Sequence, residues 1–78
     1  MHVNMELALN VSFQNKRKIK EALDRIPPYS IVTIDGTRSI NIDHGILEIF
    51  QEFRSKTRQR HLQLELKNIP EVSVIELH

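Results

Sequence analysis

Asp43 and His44 stand side by side at the mouth of the apolar stretch INIDHGILEIF (residues 40–50), and they are the residues here whose types suit catalysis. A carboxylate can orient an imidazole base, and Thr37 or Ser39 would have to supply the nucleophilic hydroxyl. Adjacent side chains at a helix start point in different directions, and nothing in the spacing folds either hydroxyl back. Metal ligation fares no better. His2, His44, His61 and His78 are isolated, with no His pair four apart and no HExxH pattern. The chain has no cysteine, so disulfides, thiolate metal sites and a cysteine nucleophile drop out together. No catalytic residue, metal ligand or cofactor site is assigned.

A structural reading accounts for the same stretch. Asp43 is a good N-cap acceptor for the free amides of a helix beginning at residue 44. Ile42 precedes it as the apolar residue that packs before a cap. Gly45 lets the first turn tighten or another backbone approach. Asp43, His44 and Gly45 thus read as a helix start, and as a surface that a partner could contact.

A second feature is the basic run Lys16, Arg17, Lys18 and Lys20. Cations in the first turn of a helix oppose its macrodipole, at about 0.3–1 kcal/mol each when exposed. The run is either a solvated helix face or an electropositive patch for anionic phospholipid or an acidic protein surface. It lacks the interleaved aromatics that stack RNA bases, and a net charge of +1 is small for a DNA-binding domain. Nucleic acid is not an expected partner. The single glycine of Asp35, Gly36, Thr37 and Arg38 makes no phosphate-binding loop.

The elements that must position these residues show in the periodicity. From residue 3 to residue 13 every odd position is apolar: Val3, Met5, Leu7, Leu9, Val11 and Phe13. That is the pattern of a strand with one buried face, and its length predicts a bend or tight hairpin near Asn10. Ile19, Ala22, Leu23 and Ile26 then form a helical stripe, with Asn15 placed to cap it and Pro27 and Pro28 ending it. Residues 30–34 are apolar on both parities and predict an interior strand covered more fully than its neighbours. Ile46, Leu47, Ile49, Phe50 and Phe53 mark a second helix, whose last turns carry Arg54, Lys56, Arg58 and Arg60. Leu62, Leu64 and Leu66 alternate with polar residues as another one-faced strand. Asn68 to Glu71 reads as a turn, and residues 72–77 as either a short edge strand or an ordered tail.

The order is β(β)αβαβ, an α/β class with a small sheet of about four strands and two helices on one face. Strand–helix–strand units imply parallel pairing with right-handed crossovers. At 78 residues the chain makes one domain with a thin core. No apolar run approaches the roughly 20 residues that span a bilayer.

Val11, Ser12, Phe13, Gln14, Asn15 and Lys16 resemble the V-S-F-L-N-K stretch of STAS domains at the C-terminus of bacterial sulfate permease (SulP) anion transporters. Val32 to Gly36 is similar to that family's V-x-I-D, and Ile42-Asp43-His44-Gly45-Ile46-Leu47-Glu48 to its I-D-H-D-V-L-E. The similarity spans residues 7 to 66. It implies that residues 1–78 form a single STAS-like domain, a small mixed sheet with helices on one side. It also implies the C-terminal cytosolic part of a longer membrane transporter, at the cytoplasmic face of the bacterial inner membrane. Its role would be regulatory and non-enzymatic, without a cofactor, with the membrane-embedded part of the same chain as partner and Asp43, His44 and Gly45 as the signature loop. One alternative is a free-standing STAS regulator of the anti-sigma-factor-antagonist type, and another a small anion- or nucleotide-binding domain. In the antagonist branch the loop reads D-S-S-G and its second serine is phosphorylated. Gly45 falls at that position, so the phospho-switch is not expected here. Fuller STAS domains carry further helices after the strand of residues 61–67. Their absence would leave surface for a weak homodimer.

Overall fold

A computed structural model describes residues 1–71 of the chain. It is an α/β layer pair. The strands are β1 (His2–Glu6), β2 (Asn10–Val11), β3 (Ile31–Asp35), β4 (Asn41–Ile42) and β5 (Gln63–Lys67); the helices are α1 (Lys16–Asp24) and α2 (His44–Lys56). β1, β3 and β5 form a parallel sheet in that order, and β2 and β4 a separate parallel pair. The α/β class, the two helices and the parallel connections follow the sequence pattern. The single sheet of about four strands does not, because the chain bends at residues 7–9 and resumes in β2.

Register explains the one-sided core. Val3, Val32 and Leu64 are aligned across the sheet, as are Met5, Ile34 and Leu66. Val32 and Ile34 are fully buried beneath Leu23 and Ile26 from α1 and its end, and Ile46, Ile49, Phe50 and Phe53 from α2. The alternate positions, His2, Asn4, Glu6, Gln63, Glu65 and Lys67, are exposed. Hence both helices cover one face and the other stays wet, as period-two strands require.

Three local expectations are corrected. Near Asn10 the chain takes the bend, at residues 7–9, and not the hairpin: β2 pairs parallel with β4, and Leu9 and Phe13 lie 56% and 63% exposed instead of continuing the buried face. Asn15 is not a side-chain N-cap; its Oδ1 accepts the Ser12 amide at 2.9 Å, closing a 3-10 turn, Phe13–Asn15, that runs into α1. Finally, α2 ends at Lys56, so Arg58 and Arg60 lie in the turns beyond it. β3 is central and covered more fully than β1 and β5, as expected, although Ile31 at its start is 39% exposed. The possible edge strand at residues 72–77 lies outside the described residues.

Two contacts fix the arrangement, one in the helix layer and one at the end of the sheet. Arg60 reaches across the helix layer, where its Nη2 donates to the carbonyls of Leu23, Asp24 and Ile26 at 3.1, 3.3 and 2.9 Å. The guanidinium also lies 5.5 Å from the Phe53 ring centroid. It therefore adds a charged donor to the carbonyls at the end of α1, where Leu23 O also accepts the Ile26 amide, and holds the two helices in one arrangement. At the opposite end of the sheet, Gly36 donates its amide to Lys67 O at 2.8 Å. A Cβ there would lie 2.6 Å from Ile69 Cδ1 and 2.8 Å from Asn68 O, so the close approach of the two chains requires glycine.

Candidate functional site

The N-terminus of α2 stands at the C-terminal end of β4. The Asp43 amide donates to Val11 O of β2 at 2.8 Å, and its side chain turns back to accept the Gly45 amide at 2.9 Å. The Asp43 carbonyl accepts from Ile46 and Leu47 at 3.0 and 3.2 Å. This is the capping role expected of an aspartate before an apolar periodic run. Ile42 packs against the core from the position before the cap.

His44 is exposed, and its Nε2 sits 3.1 Å from Glu48 Oε1, one turn further on. That partner lies on the same helix, while the Asp43 carboxylate is engaged by the Gly45 amide. Ser39 and Thr37 do not complete a triad. Ser39 Oγ donates to Ala8 O at 2.5 Å, while Thr37 Oγ1 donates to Asp35 Oδ1 and accepts from Asn68 Nδ2 at 2.7 Å. Among the described residues no three His, Cys, Asp or Glu side chains gather as a metal site. No buried side-chain nitrogen or oxygen there lacks a partner.

Gly45 has an ordinary backbone conformation, so conformational freedom is not its contribution. A Cβ at this position would lie 3.0 Å from Asp43 Oδ2 and 3.8 Å from Phe13 Cδ2. Glycine therefore leaves room for the capping carboxylate beside the Phe13 ring. Phe13 is exposed, and so are Leu9 and Ile40, the last at 70%. The backbones of Leu9 and Ile40 are coupled: Ile40 donates its amide to Leu9 O at 2.9 Å. The core does not use these three side chains. Period-two reading assigned Leu9 and Phe13 to the interior, and only the bend at residues 7–9 and the 3-10 turn bring them outside.

The basic run does not form one patch. Arg17 is drawn to Glu21, with Nε 3.1 Å from Oε1. Lys16 lies over the Phe13 ring, its Nζ 5.4 Å from the centroid. Lys56, donating to Glu52 at 3.0 Å, holds the Glu52 carboxyl below the usual range, with smaller contributions from Lys20 and Lys16 across the helix pair. Lys18 faces the other way, toward a cleft beside β1. At 100° per residue four cations in five positions spread around the helix, so counter-charges from both helices reach most of them.

Compared with known proteins, the chain matches no family model, no curated sequence and no solved structure.

Proposed function

We propose that this chain is a non-catalytic interaction domain of the STAS type, the regulatory part of a sulfate-permease-like anion transporter, with the α2 N-terminus as its docking point. The observation that carries the reading is the capped turn of Asp43, His44 and Gly45 with the exposed Phe13 ring beside Gly45, together with a second exposed apolar pair, Leu9 and Ile40, coupled through their backbones. Phe13 and the turn belong to the segments that resemble the family, and exposed apolar side chains beside a structured turn are a common mark of a protein contact. Asp43 also speaks against an anion or nucleotide at this helix end. Its carboxylate already occupies a first-turn amide and adds negative charge where a phosphate would sit.

In this role Asp43 fixes the turn, Gly45 keeps its surface low, and Phe13 and Ile40 supply the apolar area buried on contact. His44 and Glu48 give a polar margin. Nothing in the role requires bond chemistry.

The test is a domain replacement. The chain is fused behind the membrane part of a sulfate permease stripped of its own STAS domain, and uptake of labelled sulfate is followed. Restored uptake, lost again in Phe13→Asp and Ile40→Asp variants that keep the native circular dichroism, is the expected result. No restoration by a correctly folded, membrane-inserted fusion would overturn the transporter reading.

A further inference from the structure

Among the described residues one edge of β1 is uncovered, and that edge is complementary to itself. Ile31 donates its amide to Met1 O at 2.8 Å and Leu7 donates to Asp35 O at 2.9 Å, so the odd residues of this segment direct their backbone groups at β3. In a parallel ladder the intervening residues point theirs the other way. The N–H and C=O groups of His2, Asn4 and Glu6 therefore face outward, and among the described residues β1 pairs with β3 alone. The other outer strand differs: the chain continues past β5 on that side, with Glu71 3.6 Å from Arg54 of α2.

We infer that this edge joins two copies of the chain, with their β1 strands pairing antiparallel about a two-fold axis at Asn4. In that register His2 lies opposite the partner's Glu6, and Asn4 opposite the partner's Asn4. Every outward N–H and C=O of the three residues then meets a backbone partner. Side chains match as well. An imidazole faces a carboxylate on the wet side of the sheet at both ends of the ladder. On the covered side Val3 lies opposite the partner's Met5, and Met1, 76% exposed in the single chain, opposite the partner's Leu7. Leu7 belongs to an open, largely apolar cleft of 230 Å³ between β1 and α1, lined also by Met5, Val11, Ile19 and Ala22. Met1 of one copy thus covers the cleft of the other.

Neighbouring registers are poorer. An axis at Val3 or Met5 leaves one of the three outward residues unpaired, and an axis at Glu6 sets two carboxylates against each other. The second copy is favoured as occupant because polar and apolar positions both match under one symmetry operation.

The chain contains no cysteine, so single cysteines can test the register directly. Directly opposed residues in a hydrogen-bonded antiparallel pair have Cα atoms about 5.5 Å apart, within disulfide reach. Asn4→Cys is therefore expected to cross-link to its own copy under mild oxidation. His2→Cys and Glu6→Cys lie about 14 Å from their own copies and are expected to link less than about a tenth as much alone, but to link well when mixed. In sedimentation of the cysteine-free chain, Glu6→Lys is expected to raise the dissociation constant about tenfold, and His2→Glu added to it to recover most of that loss. Equal cross-linking by all three cysteine variants would overturn the proposed register. A native chain that stays monomeric up to about 1 mM would overturn the dimer itself.

Discussion

Gly36 and Gly45 show how differently two glycines can be required. At Gly36 the obstacle to a side chain is backbone, Asn68 O at 2.8 Å, together with Ile69 Cδ1 at 2.6 Å. Gly36→Ala is expected to lower stability by about 1–3 kcal/mol, read from the urea midpoint at unchanged m-value. At Gly45 the nearest atom is a side-chain oxygen, Asp43 Oδ2 at 3.0 Å, which can move at the expense of its hydrogen bond. Beside Gly36, the Thr37 hydroxyl and amide both donate to Asp35 and hold its carboxyl below its ordinary value of 3.8, with Lys67 adding a smaller effect. A folded-state value below the unfolded one gives stability that is present above the unfolded pKa and lost as the pH falls through the folded one. Asp35→Asn should therefore flatten the decline in stability below about pH 4 and leave the neutral-to-alkaline limb unchanged. Unfolding midpoints measured from pH 2 to 8 check this; an unchanged acid limb would contradict it.

The helices carry charge patterns that intrinsic preference alone would disfavour. Three cations, Lys16, Arg17 and Lys18, open α1 with no acidic residue in that turn. The preceding 3-10 turn moves the start of the helical hydrogen bonding upstream, with Asn15 N donating to Ser12 O at 2.9 Å, and Glu21 and Glu52 supply counter-charge. The Glu52 carboxyl is expected to titrate higher in Lys56→Gln, with smaller upward movements in Lys20→Gln and Lys16→Gln. Carboxyl carbon shifts followed by NMR would show that order. At the other end of α1, Arg60 meets three carbonyls and Phe53. Its loss in Arg60→Ala is expected to cost about 1–3 kcal/mol, since several carbonyls lose a charged donor at once. Lysine, a point charge without the planar fork, should recover only part of this. Thermal unfolding of the two variants provides the comparison. Arg60 could be seen in the sequence only as a cation near a helix end; the helix it serves is the other one, 36 residues earlier.

At the scale of the molecule, one core cluster joins strands and helices, while Leu9, Phe13 and Ile40 stay outside it. Truncating the fully buried Phe50 to alanine should cost about 3–5 kcal/mol, whereas Phe13→Ser should change stability by less than about 0.5 kcal/mol. Equilibrium denaturation of both separates residues kept for the core from residues kept for a surface.

Periodicity alone determined the α/β class, the two helices, the wet sheet face and the Asp43 cap. These depend on contacts close in sequence: a period of two or 3.6, and a carboxylate two residues from the amide it accepts. Tertiary structure decided the rest. Met5 and Phe13 share one odd-numbered apolar pattern, yet only Met5 packs against the core, because the strand gives way to a 3-10 turn at Phe13. The pairing of β2 with β4 and the capping of α1 by Arg60 join residues about thirty or more apart. Their partners are selected by where the packed layers bring the chain, and no local spacing records that.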